Sequence, residues 1–240
     1  MQESKFEEIY MGSMITYMRP DGQSATAYLV QPQAGALAPA IVVIQEWWGL
    51  NEQIKEVAHR LAQQGYQAIV PDLYKGKIAL EENEANHLMT GLDFADAASQ
   101  DIRGAIQYLK AAGAPKVGVT GFCMGGALTL LSAIFAPEID AAAIWYGYPP
   151  LEFVDADKIK APLMGSFAIY DDVFPISGVD ALEAKLSAAR VDYVFDRYEA
   201  KHAFANEEAD TKNLPYLKYD PQAAGKAWEK TTAFFRNYIN

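Results

Sequence analysis

Gly121-Phe122-Cys123-Met124-Gly125-Gly126 is the most informative segment of this sequence. It has the form G-x-nucleophile-x-G and joins a predicted strand, 116–120, to a predicted helix. In that setting the nucleophile lies on a sharp, strained turn, and the small residues around it let the turn close. A helix amino terminus lowers the pKa of a thiol and stabilises anions. Cys123 is therefore a candidate nucleophile, with the backbone N–H of Met124 as a candidate oxyanion donor.

Predicted strands alternate with predicted helices from residue 41 to the end of the chain. This alternation is typical of βαβ units and of a mostly parallel sheet with helices on both faces. We expect one α/β domain over residues 1–240, opened by an antiparallel hairpin around the turn residues Asp21-Gly22. No G-x-G-x-x-G follows the first buried strand, which argues against a flavodoxin-like or dinucleotide-binding protein. The predicted strands are 14–19, 25–30, 41–44, 67–70, 116–120, 141–146, 163–168 and 191–198, and helices are predicted around 54–61, 81–112, 124–135, 177–189 and 222–238.

The composition is that of an ordinary globular protein, with 51% hydrophobic and 21% charged residues among 240. Lysine and arginine number 20 against 31 aspartates and glutamates, and the net charge of −11 disfavours nucleic-acid binding. The single cysteine excludes an internal disulfide. The polar, acidic segment 1–14 lacks the features of a signal peptide, and no run of about 18 apolar residues occurs. We therefore expect a cytoplasmic protein with neither a membrane nor a nucleic acid as partner.

A thiol nucleophile needs a base, and the base needs an orienting carboxylate. Of the three histidines, His59 lies out of phase with the apolar positions of its helix and His87 lies in an acidic helical segment, so both are expected at the surface. His202 follows the last predicted strand, and in sheets of this kind ligands bind beyond the carboxyl ends of the strands. His202 is thus the candidate base. The candidate acid is Asp171 or Asp172, which follow the preceding strand, and residue chemistry alone does not choose between them.

Each of these residues also has a simpler explanation. A free cysteine is often an inert core residue, and an aspartate after a strand is often a turn or cap residue. The order nucleophile, acid, histidine, with each member placed after a strand, favours a hydrolytic triad over three unrelated residues. No cofactor is expected. No metal site is indicated either, because two of the three histidines lie apart from any cysteine or acidic cluster.

Four motifs resemble those of dienelactone hydrolases, also called carboxymethylenebutenolidases. The segments that carry the candidate triad read GFCMGG, YDDVFP and KHAFA, and a fourth segment, QEWWGLN, begins at Gln45 after the first buried strand. The resemblance covers residues 15–238, essentially the whole chain. It implies an α/β-hydrolase fold and the hydrolysis of an enol-lactone or a related ester.

The resemblance also implies roles for individual residues. It identifies Asp171 as the acid, because the family places the acid four residues before the proline. It implies that Glu46 contacts the nucleophile and accepts the thiol proton when substrate displaces it. It further implies that the backbone N–H of Trp47 completes the oxyanion hole with that of Met124.

Two positions depart from the family pattern. The family binds the substrate's carboxylate with an arginine four residues after the triad histidine, which is Asn206 here, and with a second arginine in a segment that is acidic here, 81–86. An acidic segment holds a carboxylate poorly, so we expect altered substrate specificity, with aromatic residues lining an apolar pocket. Plain core packing is the alternative for each of these aromatic residues. The candidate substrate contacts are Trp48, Phe122, Tyr146, Phe204 and Asn206, with Trp47 and Tyr148 as further aromatics in reach.

The sequence therefore predicts a hydrolase that cleaves an activated ester or lactone through a thioester acyl-enzyme. Activated substrates are favoured because a thiolate is itself a good leaving group, so the alkoxide or enolate must leave easily. The expected partner is a small-molecule ester or lactone, and the expected assembly is a monomer or a small homo-oligomer. A weakly catalytic binding or carrier protein on the same fold is the second hypothesis, motivated by the missing arginines.

Overall fold

The computed structural model of the chain describes residues 12–32 and 35–240, and the strands of this part form one twisted sheet. The strands are β1 Ser13–Met18, β2 Ser24–Val30, β3 Ala40–Ile44, β4 Gln67–Pro71, β5 Val117–Phe122, β6 Ala141–Trp145, β7 Leu163–Ala168 and β8 Tyr193–Tyr198. Their order across the sheet is β1-β2-β4-β3-β5-β6-β7-β8. The hairpin β1–β2 and the pair β2–β4 are antiparallel, and all other neighbours are parallel.

Helices cover both faces of this sheet. They are α1 Glu52–Gln63, α2 Glu82–Thr90, α3 Arg103–Ala112, α4 Met124–Phe135, α5 Ile176–Ala188 and α6 Pro221–Ile239. The first begins where the Asn51 side chain accepts a hydrogen bond from the N–H of Ile54 at 3.2 Å, so the last residue of QEWWGLN is a helix cap. The residues of α4 from Met124 to Ile134 are all buried, as expected for a helix that is apolar on every side.

The predicted fold class is confirmed: the sheet is mostly parallel, and it is extended at one edge by the predicted antiparallel hairpin. Among the strands, two boundaries differ from the prediction by two residues, and the others agree to within one residue. The strand expected over 116–120 continues to Phe122, which pairs with Trp145 of β6. The strand expected from Val191 begins at Tyr193, because Val191 donates to the Leu186 carbonyl and closes the end of α5. The predicted domain span, 1–240, and the polar segment 1–14 include residues 1–11, which lie outside the described part.

The helical region predicted over 81–112 is interrupted. Between α2 and α3 lie a short helical turn, Phe94–Asp96, and a π-helical segment, Ala97–Ile102. Arg19, at the end of β1, binds Asp96 at 2.9 Å and Asp101 at 3.2 Å. A wide turn with i→i+5 hydrogen bonds brings residues five apart onto one side of the helix, which suits this double contact. Among the described residues, no helix has both the length and the apolar character needed to cross a bilayer.

Three backbone segments approach each other closely around Cys123. A Cβ on Gly125 would lie 2.4 Å from the Ile44 carbonyl oxygen of β3. A Cβ on Gly147, just after β6, would lie 2.0 Å from the Cys123 carbonyl oxygen. Contacts this short with backbone atoms leave room only for glycine at both positions. The turn at Cys123 can pack against β3 and β6 because these two residues have no side chain.

We expect Gly125→Ala to lower the free energy of unfolding by about 2 kcal/mol or more, since the new methyl group would force backbone apart. The matched control is Gly225→Ala in α6, where a Cβ meets nothing within 4 Å. That variant should be stabilised by roughly 0.5–1 kcal/mol, because alanine is the better helix former. Urea unfolding of both variants tests the prediction, and equal stabilities would contradict it.

Candidate active site

Cys123 occupies a strained turn between β5 and α4. Its backbone is left-handed, with φ 56° and ψ −118°. Its N–H donates to the Trp145 carbonyl at 3.0 Å, and its carbonyl accepts from the N–H of Gly126 at 2.9 Å. These bonds hold the residue in a conformation that costs about 1–3 kcal/mol for a side chain other than glycine. The thiol consequently lies at the amino terminus of α4, where Met124 contributes an N–H without an intrahelical acceptor.

The His202 imidazole joins Asp171 to Cys123. Its Nδ1 lies 2.8 Å from Asp171 Oδ2, and its ring also interacts with the sulfur of Cys123, which raises the pKa of the imidazole. The other carboxylate oxygen, Asp171 Oδ1, accepts from the N–H groups of Val173 and Phe174, each at 2.8 Å. Asp171 and His202 are both buried, whereas Asp172 is exposed. The carboxylate that contacts the histidine is therefore that of Asp171.

The charges around His202 favour its protonated form. Burial disfavours the imidazolium, but the sulfur of Cys123 and the carboxylate of Asp171 outweigh it and raise the pKa of His202 to about 10. A hydrogen bond from the imidazolium to a carboxylate is stronger than one between neutral groups. The imidazole is therefore well suited to accept a proton from the thiol beside it.

Glu46 adds a second buried carboxyl group to the site. Tyr146 donates its hydroxyl to Oε1 at 3.1 Å, and the side-chain amide of Asn206 donates to Oε2 at 2.6 Å. Burial raises the pKa of Glu46, and the nearby charge of His202 and these two hydrogen bonds only partly oppose it. Both oxygens of Glu46 are thus hydrogen-bonded to neutral donors, while burial makes the carboxyl group more basic.

The predicted substrate contacts form a packed wall behind these groups. Tyr146 has φ 36° and lies edge-on to the His202 ring, with centroids 5.3 Å apart. Phe122 stacks on Trp145 at 5.1 Å. The exposed fractions of the predicted contacts are 2% for Trp48, 3% for Phe122, 0% for Tyr146, 0% for Phe204 and 1% for Asn206. Because these side chains are buried against one another, their direct contact with a substrate stays a prediction.

Trp47 and Tyr148 are the more accessible aromatic residues of the predicted set. Both are half-buried. Trp47 lies edge-on to Trp48 at 5.2 Å, directly after Glu46. Tyr148 contacts Phe174 at 5.3 Å, and Phe174 in turn contacts the His202 ring at 5.5 Å. These two rings are more exposed than the five predicted contacts above.

Sequence reasoning missed three side chains near the site. Tyr74 donates its hydroxyl to the Met124 sulfur at 3.3 Å. Phe174, within YDDVFP, packs on the histidine, and the motif itself was the signal that could have identified it. Lys212 lies with Nζ 4.4 Å from the centre of the Trp48 ring. No spacing along the chain connects Lys212 with Trp48, because they are brought together only by the fold.

The remaining histidines lie apart from Cys123 and Asp171. His87 is exposed, as expected. The expectation for His59 needs a correction: it is half-buried, and its Nε2 lies 2.9 Å from the Tyr28 hydroxyl of β2. The packing of α1 against β2 covers this residue even though it is out of phase with the apolar positions. Within residues 12–32 and 35–240, no three His, Cys, Asp or Glu side chains are arranged to hold a metal ion.

A left-handed nucleophile turn, with a histidine and a carboxylate at the carboxyl edge of a mostly parallel sheet, defines the α/β-hydrolase class. The family model described as "Dienelactone hydrolase family" matches residues 25–239. The chain therefore belongs to the dienelactone hydrolase family, as its motifs predicted. It is accordingly a carboxylic ester or lactone hydrolase that acts on small molecules.

Individual relatives agree with this assignment. The chain is 35% identical to "Protein usf" of Aquifex pyrophilus over 239 residues, covering 95% of this chain and 100% of that protein. It is 32% identical to the "Putative carboxymethylenebutenolidase" of Aquifex aeolicus (strain VF5), with the same coverages. A dienelactone hydrolase-like promiscuous phosphotriesterase from metagenomic libraries has a similar structure, with a TM-score of 0.86, 22% identity and coverages of 97% and 100%. At that identity the last likeness shows the fold alone.

We expect Asp171→Asn to lower the pKa of His202 by at least about one unit, because the amide no longer stabilises the imidazolium as a carboxylate does. NMR titration can follow this directly, since the chain has only three histidines. Asp172→Asn is the matched control one residue away, and it should leave the titration of His202 unchanged. An unshifted His202 in Asp171→Asn would contradict the assigned contact.

Proposed function

We propose that the chain hydrolyses an activated ester or lactone through a triad of Cys123, His202 and Asp171. The observation that carries this proposal is the position of His202, whose Nδ1 lies 2.8 Å from Asp171 and whose ring interacts with the sulfur of Cys123. A nucleophile, a base and an orienting acid brought together in one buried group is the arrangement that nucleophilic acyl transfer requires.

In the acylation step, the thiol proton passes to the His202 imidazole and the sulfur of Cys123 attacks the carbonyl carbon. The negative charge that develops on the carbonyl oxygen is stabilised by the N–H groups of Met124 and Trp47, a contribution of roughly 3–4 kcal/mol per donor. The carbon–oxygen bond to the leaving group then breaks, and the leaving alkoxide or enolate takes the proton from His202. A thioester with Cys123 and the free alcohol or enol result.

In the deacylation step, His202 accepts a proton from water while the water oxygen attacks the thioester carbonyl. The carbon–sulfur bond breaks, the acid product leaves, and the proton returns to the sulfur of Cys123. Asp171 keeps the imidazole in the orientation that both steps need, because two backbone N–H groups fix its other oxygen. The leaving group must be good in the first step, since the tetrahedral intermediate otherwise expels the thiolate.

Glu46 offers a second acceptor for the thiol proton. Its pKa is raised by burial, so a proton on this carboxyl group costs less than it would in water. Tyr146 and Asn206 hold both of its oxygens, which makes them positioning residues in this proposal. The role agrees with the one implied for Glu46 by the family motif QEWWGLN.

We expect Cys123→Ala to lower kcat/KM for 4-nitrophenyl acetate at least about 10³-fold, since the variant has no nucleophile. Iodoacetamide should inactivate the wild-type enzyme with the incorporation of one carboxamidomethyl group, because Cys123 is its single thiol. Mass spectrometry of the wild-type enzyme during turnover should find an acyl adduct on Cys123. Hydrolysis that persists after complete alkylation would contradict the proposal.

The same experiment separates the enzyme from a weakly catalytic binding or carrier protein. The carrier hypothesis rests on Asn206 and the acidic segment 81–86, which replace two arginines of the family pattern. Steady release of nitrophenol over many turnovers supports the enzyme. A burst of one equivalent of nitrophenol followed by a stable acyl adduct would instead support the carrier.

A further inference from the structure

Lys212 lies on a rigid aromatic surface next to the site. It ends the short 3₁₀ helix Ala209–Lys212, in the segment that runs from His202 to α6. Its ammonium lies 4.4 Å from the centre of the Trp48 ring, and that ring is only 2% exposed. Trp48 follows Glu46 by two residues on the loop after β3. The face of this buried ring attracts the cation above it electrostatically.

The charge of Lys212 is not neutralised by a carboxylate. Among the ion pairs of the described residues none includes Lys212, whereas Lys218 on the same segment pairs with Asp210 at 2.6 Å. The carboxyl group of Glu46 is itself held by the neutral donors Tyr146 and Asn206. The positive charge of Lys212 nevertheless reaches the site, since it is among the charges that lower the pKa of Glu46.

A cation seated on an aromatic ring keeps its full charge and its hydrogen-bond donors. A cation–π contact holds the ammonium without giving it a counter-ion, so a carboxylate from outside can still bind to it. Lys212 is half-buried, which limits the screening of that interaction by solvent and salt. Asn206, by contrast, is buried and its amide is already bonded to Glu46.

We propose that Lys212 is a specificity-determining residue, which binds an acidic group on the substrate while the ester carbonyl lies at Cys123. This inference rests on the proposed function, since it concerns the substrate of that same site. It assigns to the enzyme activated esters or lactones that carry one acidic substituent away from the reacting carbonyl. The residue takes no part in bond breaking and acts on substrate binding.

The test compares esters that differ only in one charge. 4-Nitrophenyl hydrogen glutarate has an acyl chain ending in a carboxylate, and methyl 4-nitrophenyl glutarate has the same chain with that carboxylate capped. The corresponding succinate and adipate pairs place the carboxylate nearer to the ester carbonyl and farther from it, respectively. The quantity measured is the ratio of kcat/KM for the acidic ester to kcat/KM for its capped partner.

We expect Lys212→Met to lower this ratio about tenfold for at least one pair, mainly through KM of the acidic ester, because the thioether stem still packs on Trp48 but the charge is lost. Lys212→Arg should keep most of the ratio. The control for net charge is Lys226→Gln, an exposed lysine of α6, which should leave the ratio unchanged. Raising the salt concentration to 0.5 M should lower the ratio of the wild-type enzyme more than that of Lys212→Met.

An unchanged ratio for every pair in a folded Lys212→Met variant would overturn the inference and leave Lys212 as a cover for Trp48. An equal fall for acidic and capped esters would overturn it as well, since that result shows a structural defect. Both outcomes differ from a failure of the proposed function, which would appear as hydrolysis of these esters that survives in Cys123→Ala.

Discussion

The left-handed backbone of Cys123 is the constraint on which the rest of the site depends. A residue with a side chain adopts φ 56° only where its surroundings enforce it. Here the carbonyl of Trp145 and the N–H of Gly126 fix the peptide groups on either side of it. The turn can form only because glycines at 121, 125 and 147 let three backbone segments touch. With the turn in place, the thiol stands above the sheet and at the start of a helix.

The parallel sheet then brings the other groups to the thiol. Since β5, β6, β7 and β8 are parallel neighbours, their carboxyl ends lie along one edge. Asp171 follows β7, and His202 follows β8, so residues far apart in the chain meet at that edge. Each buried carboxyl group there has partners for both oxygens, because an unpaired buried charge would cost several kcal/mol. Asp171 is held by backbone N–H groups and the imidazole, whereas Glu46 is held by neutral side chains.

The sequence predicted the fold class and the positions of the main strands, because hydrophobic period and turn residues are local signals. The candidate triad residues were predicted from their order and their motifs, while Asp171 and Asp172 could not be separated by residue chemistry alone. The choice depends on which carboxylate turns inward, and that is decided by the N–H groups of Val173 and Phe174. The hydrogen bond between Asn206 and Glu46 joins residues that are 160 positions apart in the sequence, so no periodic pattern of residues could predict it. The π-helical segment was missed for the same reason, since it suits the two contacts made by the distant Arg19.

The asparagine at position 206 acts first on Glu46, because it influences the pKa of that carboxyl group, and only second on the recognition of substrate. An arginine at the same place, 2.6 Å from the carboxylate, would add a positive charge and lower the pKa of Glu46 strongly. The neutral amide gives a hydrogen bond without that charge, so burial dominates and the pKa stays raised. A more basic carboxyl group takes a proton from a thiol more readily, which is the property that the proposed role of Glu46 requires. The positive charge of this region is instead that of Lys212, which lies over the Trp48 ring. There it lowers the pKa of Glu46 only weakly against the effect of burial. Because the cation is separated from the carboxyl group, the site combines a carboxyl group of raised pKa with a positive charge that has no ion-pair partner among the described residues.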